Sequence, residues 1–297
     1  MKLRLRSATL ELVSGEPLLM GIVNANHDSF SDAVRLDTLD RQVEHALALV
    51  RDGAAMIDVG GESGVTYTDA SDTEVEAGRV VPLVSTLVAE GVTVSVDTWK
   101  PDVAERVLDA GAHVINDTSG LADPRIAELC ARSGAGLVVM HTRAEPKQAG
   151  FRDYAGDVLG DVARFLAERC ALARDLGVAE ERLIVDPGPD FAKTPAESVE
   201  VMAGLGSLAA LGRPILAAIS RKYFVGAITG RPPQERLAGT LAALGHAADA
   251  GAAIARVHDV REAADFLAVR AVLRGDRAMP DFDADDERLK WIRAAEE

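Results

Sequence analysis

Along the 297-residue chain, short and nearly continuous apolar runs alternate with longer amphipathic stretches. The runs are Leu18–Asn24, Ala55–Gly61, Val92–Thr98, His113–Ser119, Gly136–Thr142, Arg182–Gly188, Pro214–Ser220 and Ile254–Asp259. Each is rich in Val, Ile, Leu or Ala with few interior polar positions, the pattern of a strand covered on both faces. Between them, stretches such as Leu39–Asp52, Lys100–Ala110, Asp157–Leu176 and Gln234–Ala250 repeat their apolar residues at helical spacing. A glycine follows most of these stretches just before the next run, as in Asp52-Gly53, Glu90-Gly91, Ala110-Gly111, Ser133-Gly134, Leu176-Gly177 and Ala250-Gly251. Glycine there closes a helix in the left-handed conformation. Eight strand–helix units predict an α/β fold of the (β/α)8 TIM-barrel kind. A doubly wound parallel sheet is the alternative, but usually has fewer strands. Residues 1–17 read as an N-terminal β-hairpin, Lys2–Arg6 and Thr9–Val13, placed to plug the bottom of the barrel. The barrel is expected to occupy 1–275, and 276–297 to form an acidic C-terminal tail with a short helix around Leu289 and Trp291.

Composition narrows the function. The net charge of −15 leaves no broad basic surface for nucleic acid. No apolar run approaches the roughly 18 residues of a membrane span, and the first residues lack the apolar core of a signal peptide. Cys130 and Cys170 lie far apart in helical patterns. That argues against a disulfide framework or a zinc site and favours a reducing cytoplasm. The scarce residue types carry more information, with Lys, Asn and His all rare in this chain.

In a barrel of this kind the chemistry sits at the C-terminal ends of the strands. The runs end at Asn24, Glu62, Asp97, Asn116 with Asp117, His141, Asp186, Ser220-Arg221-Lys222, and Arg256 with His258 and Asp259. Asn26, His27 and Lys193 fall in the same layer. Asp97, Asn116 and Asp186 are expected to converge on the mouth, where a carboxylate can pair with a donor–donor edge such as the amidine of a guanine-like ring. Arg221 and Lys222 add donors. The first and last strands close the barrel, so Asn24, Arg256 and His258 form a corner suited to an oxyanion. Asn24 and Asp28 could hold Mg²⁺, a hard cation that takes oxygen ligands.

These segments resemble dihydropteroate synthase, from about residue 17 to about 270. The matching stretches include Met20–Asn24, Asp28–Asp32, Ile57–Ser63, Ser95–Thr98, Ile115–Asp117, Met140-His141, Asp186–Gly188, Phe191–Pro195, Ser220–Lys222, Glu235–Thr240 and Arg256–Asp259. The resemblance implies a transferase of folate biosynthesis that joins 6-hydroxymethyl-7,8-dihydropterin pyrophosphate to p-aminobenzoate and releases pyrophosphate. By the same resemblance, Asp97, Asn116, Met140, Asp186 and Lys222 bind the pterin. Asn24, Arg256 and His258 hold the pyrophosphate, with Mg²⁺ at Asn24. Phe191, the stem of Lys222 and Tyr223 line the acceptor site. A cytoplasmic homodimer acting on small molecules is also implied.

The departures from the family pattern cluster on the acceptor side. Gly-Gly-Glu-Ser continues as Gly64-Val65-Thr66-Tyr67 instead of Thr-Arg-Pro-Gly, and the first loop reads Asn24-Ala25-Asn26-His27-Asp28. Tyr223 replaces a serine, and Asp190 adds a negative charge before Phe191. An altered arylamine acceptor or weaker synthase activity is one expectation, and the standard reaction with drifted loops is the other. A non-catalytic pterin-binding or regulatory paralogue is the alternative class. Retention of Asn24, Arg256 and His258 speaks against it, since a pterin binder has no use for a leaving-group site.

Overall fold

The computed structural model describes residues 1–25, 38–62, 70–148, 150–283, 286 and 289. The hairpin consists of β1 (Lys2–Arg4) and β2 (Thr9–Glu11), antiparallel with Leu3 opposite Leu10. The barrel strands follow as β3 (Leu18–Asn24), β4 (Ala54–Gly60), β5 (Val94–Asp97), β6 (Val114–Asp117), β7 (Gly136–Met140), β8 (Leu183–Asp186), β9 (Leu216–Ala218) and β10 (Ile254–Val257). Their helices are α1 (Leu39–Arg51), α2 (Thr73–Ala89), α3 (Pro101–Asp109), α4 (Arg125–Ser133), α5 (Val158–Asp175), α6 (Pro195–Ala203), α7 (Tyr223–Thr229), α8 (Leu237–Asp249) and α9 (Val260–Arg274). All pairings in the large sheet are parallel, in the order β8-β7-β6-β5-β4-β3-β10-β9. A bridge between Val185 and Ile215 joins β8 to β9, with the Val185 N–H donating to Pro214 O at 3.0 Å. The (β/α)8 barrel is thereby closed.

Local chemistry explains the helix ends. Thr38, Asp72 and Asp157 accept backbone N–H groups at the starts of α1, α2 and α5, and Thr194 with Glu197 forms a capping box on α6. Gly53 and Gly177 close α1 and α5 with φ of +112° and +99°, as the glycine pattern predicts. From β5 onward the observed strands are shorter than the apolar runs. Polar residues at the run ends leave the ladder and turn into the loops.

Adjacent strand residues face opposite ways, and this decides where the site lies. Met56, Val114, Val138, Ile184 and Ile254 point into the barrel. Leu3, Leu5 and Leu12 of the hairpin region pack against them, so the hairpin does plug the bottom. Ile57, Ile115, Val139, Val185 and Ala255 point outward beneath the helices. Two residues beyond these inward positions stand Asp58, Asn116, Met140, Asp186 and Arg256, a layer that is polar on every one of these strands but β7. At the other end α9 stops at Gly275, with φ of +78°. Leu289 is exposed, and Trp291 of the expected tail helix lies outside the described residues. Among the described residues no helix is long and apolar enough to cross a membrane.

Candidate active site

The deepest polar layer is organised by Asp58, which is fully buried. Its Oδ1 accepts the Ser95 hydroxyl at 2.6 Å. Its Oδ2 accepts Asn116 Nδ2 at 3.2 Å and Arg256 Nε at 2.6 Å. Arg256 also donates from NH2 to Asp97 Oδ2 at 3.1 Å, so one guanidinium bridges carboxylates on β4 and β5. Burial pushes Asp97 upward, against the pull of Arg256, while Asp58 and Glu76 add to the rise. Asn116 is held by its amino group, and its Oδ1 is a buried acceptor with no hydrogen-bond partner among the described residues. Such an atom is costly unless something donates to it.

Across the barrel, Asp186 is nearly fully buried, and burial raises its pKa. Its Oδ1 accepts the Gly188 N–H at 2.7 Å, and among the described residues Oδ2 accepts no hydrogen bond. Met140 lies beside it in the β7–β8 register. Gly188 has φ of +61°, and a Cβ there would sit 2.1 Å from His141 O, so the backbone approach demands glycine. Beyond it, Lys222 Nζ stands 4.6 Å from the centre of the Phe191 ring, a cation–π contact. Burial lowers the Lys222 pKa, opposed by the charges of Asp190 and Asp186. Tyr223 is exposed at the start of α7.

At the β10–β3 corner, the His258 backbone N–H donates to Ser220 Oγ at 3.2 Å. His258 Nδ1 lies 2.9 Å from the same oxygen. With the Ser220 hydroxyl hydrogen turned toward Nδ1, the His258 tautomer carries its proton on Nε2. Burial, aided by the charges of Arg221, Arg256 and Lys222, depresses this imidazole to about 3, so at neutral pH it is an uncharged donor. Asn24 ends β3 in register with Gly60, and a Cβ on Gly60 would lie 3.5 Å from Asn24 Oδ1. Arg256 is in register with Met20, deeper in the barrel than Asn24.

A model of the family described as "Pterin binding enzyme" matches residues 20–258. Dihydropteroate synthase of Bacillus subtilis is 41% identical over 249 residues, covering 83% of this chain and 85% of that protein. The structure of Xanthomonas albilineans dihydropteroate synthase with 4-aminobenzoic acid superposes with a TM-score of 0.85 at 39% identity, covering 94% of this chain and 100% of that one. The same enzyme in complex with 7,8-dihydropteroate gives a TM-score of 0.82 at 38% identity over 94% and 100% of the two chains. This chain belongs to the dihydropteroate synthase family.

Several residues that the sequence pattern placed at the mouth of the barrel point elsewhere. His141 follows the inward Met140, so its ring faces out, 5.0 Å from the Phe165 ring and 3.0 Å from Asp161 Oδ2. Asp161 is in turn chelated by Arg143. Asp117 follows Asn116 and caps its own loop through the N–H groups of Ser119 and Leu121. Arg221 is committed to Asp259, at 2.6 Å from NH2 to Oδ1. Lys193 is fully buried below the loop, donating to Gly188 O, Phe191 O and His141 O. Glu62 joins Lys100, Lys147 and the Ser71 N–H in a buried network. Asp190, expected to confront the acceptor with a free charge, instead accepts the backbone N–H groups of Tyr223 and Phe224. Asn26, His27, Asp28 and the loop Gly64–Tyr67 lie outside the described residues.

Asp58 is the functional residue that motif reasoning passed over. An aspartate inside an otherwise apolar strand was itself the signal, because a charge buried there must be paired. A groove of about 360 Å³ between α6, α7 and α8, lined by Met202, Phe224, Val225 and Ile228, lies outside the barrel. It holds no part of this constellation.

Proposed function

We propose that the chain joins 6-hydroxymethyl-7,8-dihydropterin pyrophosphate to an arylamine, p-aminobenzoate or a close relative, with release of pyrophosphate, as a step of folate biosynthesis. The observation that carries the reading is the pair of unspent acceptors at the mouth, Asn116 Oδ1 and Asp186 Oδ2. A dihydropterin brings a donor–donor edge and ring N–H groups to meet them, and Lys222 supplies a donor for its ring acceptors. Asp97 and Met140 complete the ring site. Asn24, His258 and Arg256 serve the pyrophosphate, Arg256 from deeper in the barrel. Phe191, the stem of Lys222 and Tyr223 face the acceptor.

In the reaction, the arylamine nitrogen forms a bond to the pterin methylene as its C–O bond to pyrophosphate breaks, and the nitrogen then loses a proton to water. Positive charge that grows on the pterin faces the carboxylates of Asp97 and Asp186, an arrangement fixed before the substrate arrives. The neutral His258 donates from Nε2 to the departing oxygens. No protein nucleophile is required.

Mg²⁺ belongs to the proposal as the partner of the pyrophosphate. Among the described residues no cluster of three His, Cys, Asp or Glu could hold a metal alone. A single amide oxygen on Asn24, at the end of β3, suits an ion that keeps its waters and arrives with phosphate. When bound, it would neutralise charge on the leaving group. The family resemblance adds a cytoplasmic homodimer, testable by light scattering. The deciding experiment supplies the dihydropterin pyrophosphate, Mg²⁺ and p-aminobenzoate and follows pyrophosphate and dihydropteroate. Tight pterin binding without turnover across a panel of arylamines would overturn the proposed reaction and favour a pterin-binding paralogue.

A further inference from the structure

We propose that Asp190 is a positioning residue for Lys222, its carboxylate latching the start of α7 to the loop after β8 and placing a negative charge before the Lys222 ammonium. The proposal rests on Lys222 serving the substrates as described above. Three observations carry it.

First, Asp190 adopts φ of +69°, which few residues other than glycine, asparagine and aspartate tolerate. Its own N–H donates to Ser198 Oγ at 2.9 Å, and Ser198 is fully buried in α6. The loop therefore holds the carboxylate in one place. Second, Oδ2 accepts the Tyr223 N–H and Oδ1 accepts the Phe224 N–H, at 3.2 Å for the latter. Lys222 itself offers no side-chain cap to the helix it precedes. A residue 34 positions distant supplies the cap, and so ties the helix to the loop that carries Phe191. Third, that loop is fastened from below. Lys193 Nζ donates to Gly188 O at 2.8 Å and Phe191 O at 3.2 Å. The Phe191 ring and the Lys222 ammonium that stands on it are thus fixed from two sides.

The charge matters as much as the geometry. Asp190, Asp186 and Asp97 oppose the effect of burial on Lys222, while Arg256 adds to it. Asp190 is the largest of the three opposing influences. Removing its charge favours the neutral amine.

Two variants separate charge from position. Asp190→Asn tolerates the left-handed backbone and keeps one acceptor oxygen, and Asp190→Gly suits the same backbone and removes the latch. Full-length protein is labelled with acetic anhydride across a pH series, and Lys222 is resolved by peptide mass spectrometry against the exposed Lys2. In both variants the Lys222 midpoint is expected to move to lower pH, with labelling near pH 8 roughly threefold or more faster than in the wild type. Hydrogen exchange is expected to quicken strongly at both the Tyr223 and Phe224 amides in Asp190→Gly, and at only one of them in Asp190→Asn, which keeps one acceptor oxygen. Unchanged Lys222 labelling in both variants, or unchanged exchange in Asp190→Gly, overturns the proposal. Absence of dihydropteroate synthesis by the wild type would instead count against the proposed reaction, since neither readout depends on turnover.

Discussion

Replacing Asp58 separates what its charge contributes from what its shape contributes. Its two oxygens receive a hydroxyl, an amide N–H and a guanidinium N–H. In Asp58→Asn the position of Oδ2 can remain an oxygen, still accepting from Asn116 and Arg256. The new amino group then faces Ser95, whose hydroxyl can turn to accept from it. All partners stay satisfied, and only the charge is lost. Arg256 keeps Asp97 as a counter-ion. The cost is that of one charge-assisted contact, about 1.5–3 kcal/mol. Asp58→Ala strands every donor at once and leaves a buried guanidinium half-paired, for about 3–5 kcal/mol. At roughly 2 °C per kcal/mol for a chain of this size, scanning calorimetry should read Tm losses of about 3–6 °C and 6–10 °C. Pterin affinity should fall in both variants, further in the alanine one, because Asp58 holds the amino group that aims Asn116 Oδ1. Equal losses for Asn and Ala would refute the hydroxyl rearrangement. Losses under about 1 kcal/mol in both would refute the claim that this carboxylate organises the layer.

Asp186→Asn removes the charge from the contact proposed for the pterin edge and should weaken binding of 6-hydroxymethylpterin roughly 10- to 100-fold by calorimetric titration. His258→Ala should weaken the pyrophosphate ester about 10- to 100-fold, the value of a hydrogen bond to a charged acceptor, and leave free pterin unchanged. With its imidazole depressed to about 3, His258 should impose no pH dependence on ester binding between pH 5 and 8. Lys193 is lowered from 10.5 to about 7 by burial, so between about pH 7 and 10.5 the unfolded chain binds a proton that the native protein has released, and the neutral amine then donates to two of its three carbonyls. Its contribution to stability is complete above the unfolded value and is lost as pH falls toward about 7. The stability of the wild type relative to Lys193→Met, read from urea midpoints, should therefore rise from pH 7 to 9.5.

How much of this was legible depended on which physical constraint each residue obeyed. The barrel was readable because strands covered on both faces leave apolar runs, and because helix ends need glycines and side-chain caps. Convergence at the mouth was readable for Asp97, Asn116 and Asp186 because their position at strand ends sufficed. Side was harder. Asn116-Asp117, Met140-His141 and His258-Asp259 are adjacent pairs, and strand alternation sends only one member of each inward. Applying that period from Met56, Val114, Val138 and Ile254 upward would have removed Asp117, His141 and Asp259 from the mouth and added Asp58. Lys193 and Arg221 were not recoverable this way. Their partners, Gly188 O and Asp259, come from loop backbone geometry and from a residue 38 positions away.

The acceptor question changes shape once Asp190 is placed. As a charge on a string of letters it argued for repulsion of an anionic acceptor. In the fold, its oxygens are spent on the N–H groups of Tyr223 and Phe224, and it faces a lysine. A carboxylate so engaged repels less than a free one, but it competes for the same cation. An incoming p-aminobenzoate would find Lys222 already shared between Asp190 and Asp186. Its carboxylate therefore gains less from Lys222 than it would from an unshared ammonium, whereas the dihydropterin, which brings donors to Asp186 and relieves one of the two claims on Lys222, gains more. The substitution at position 190 acts on the acceptor through the electrostatics of that lysine rather than by closing the site.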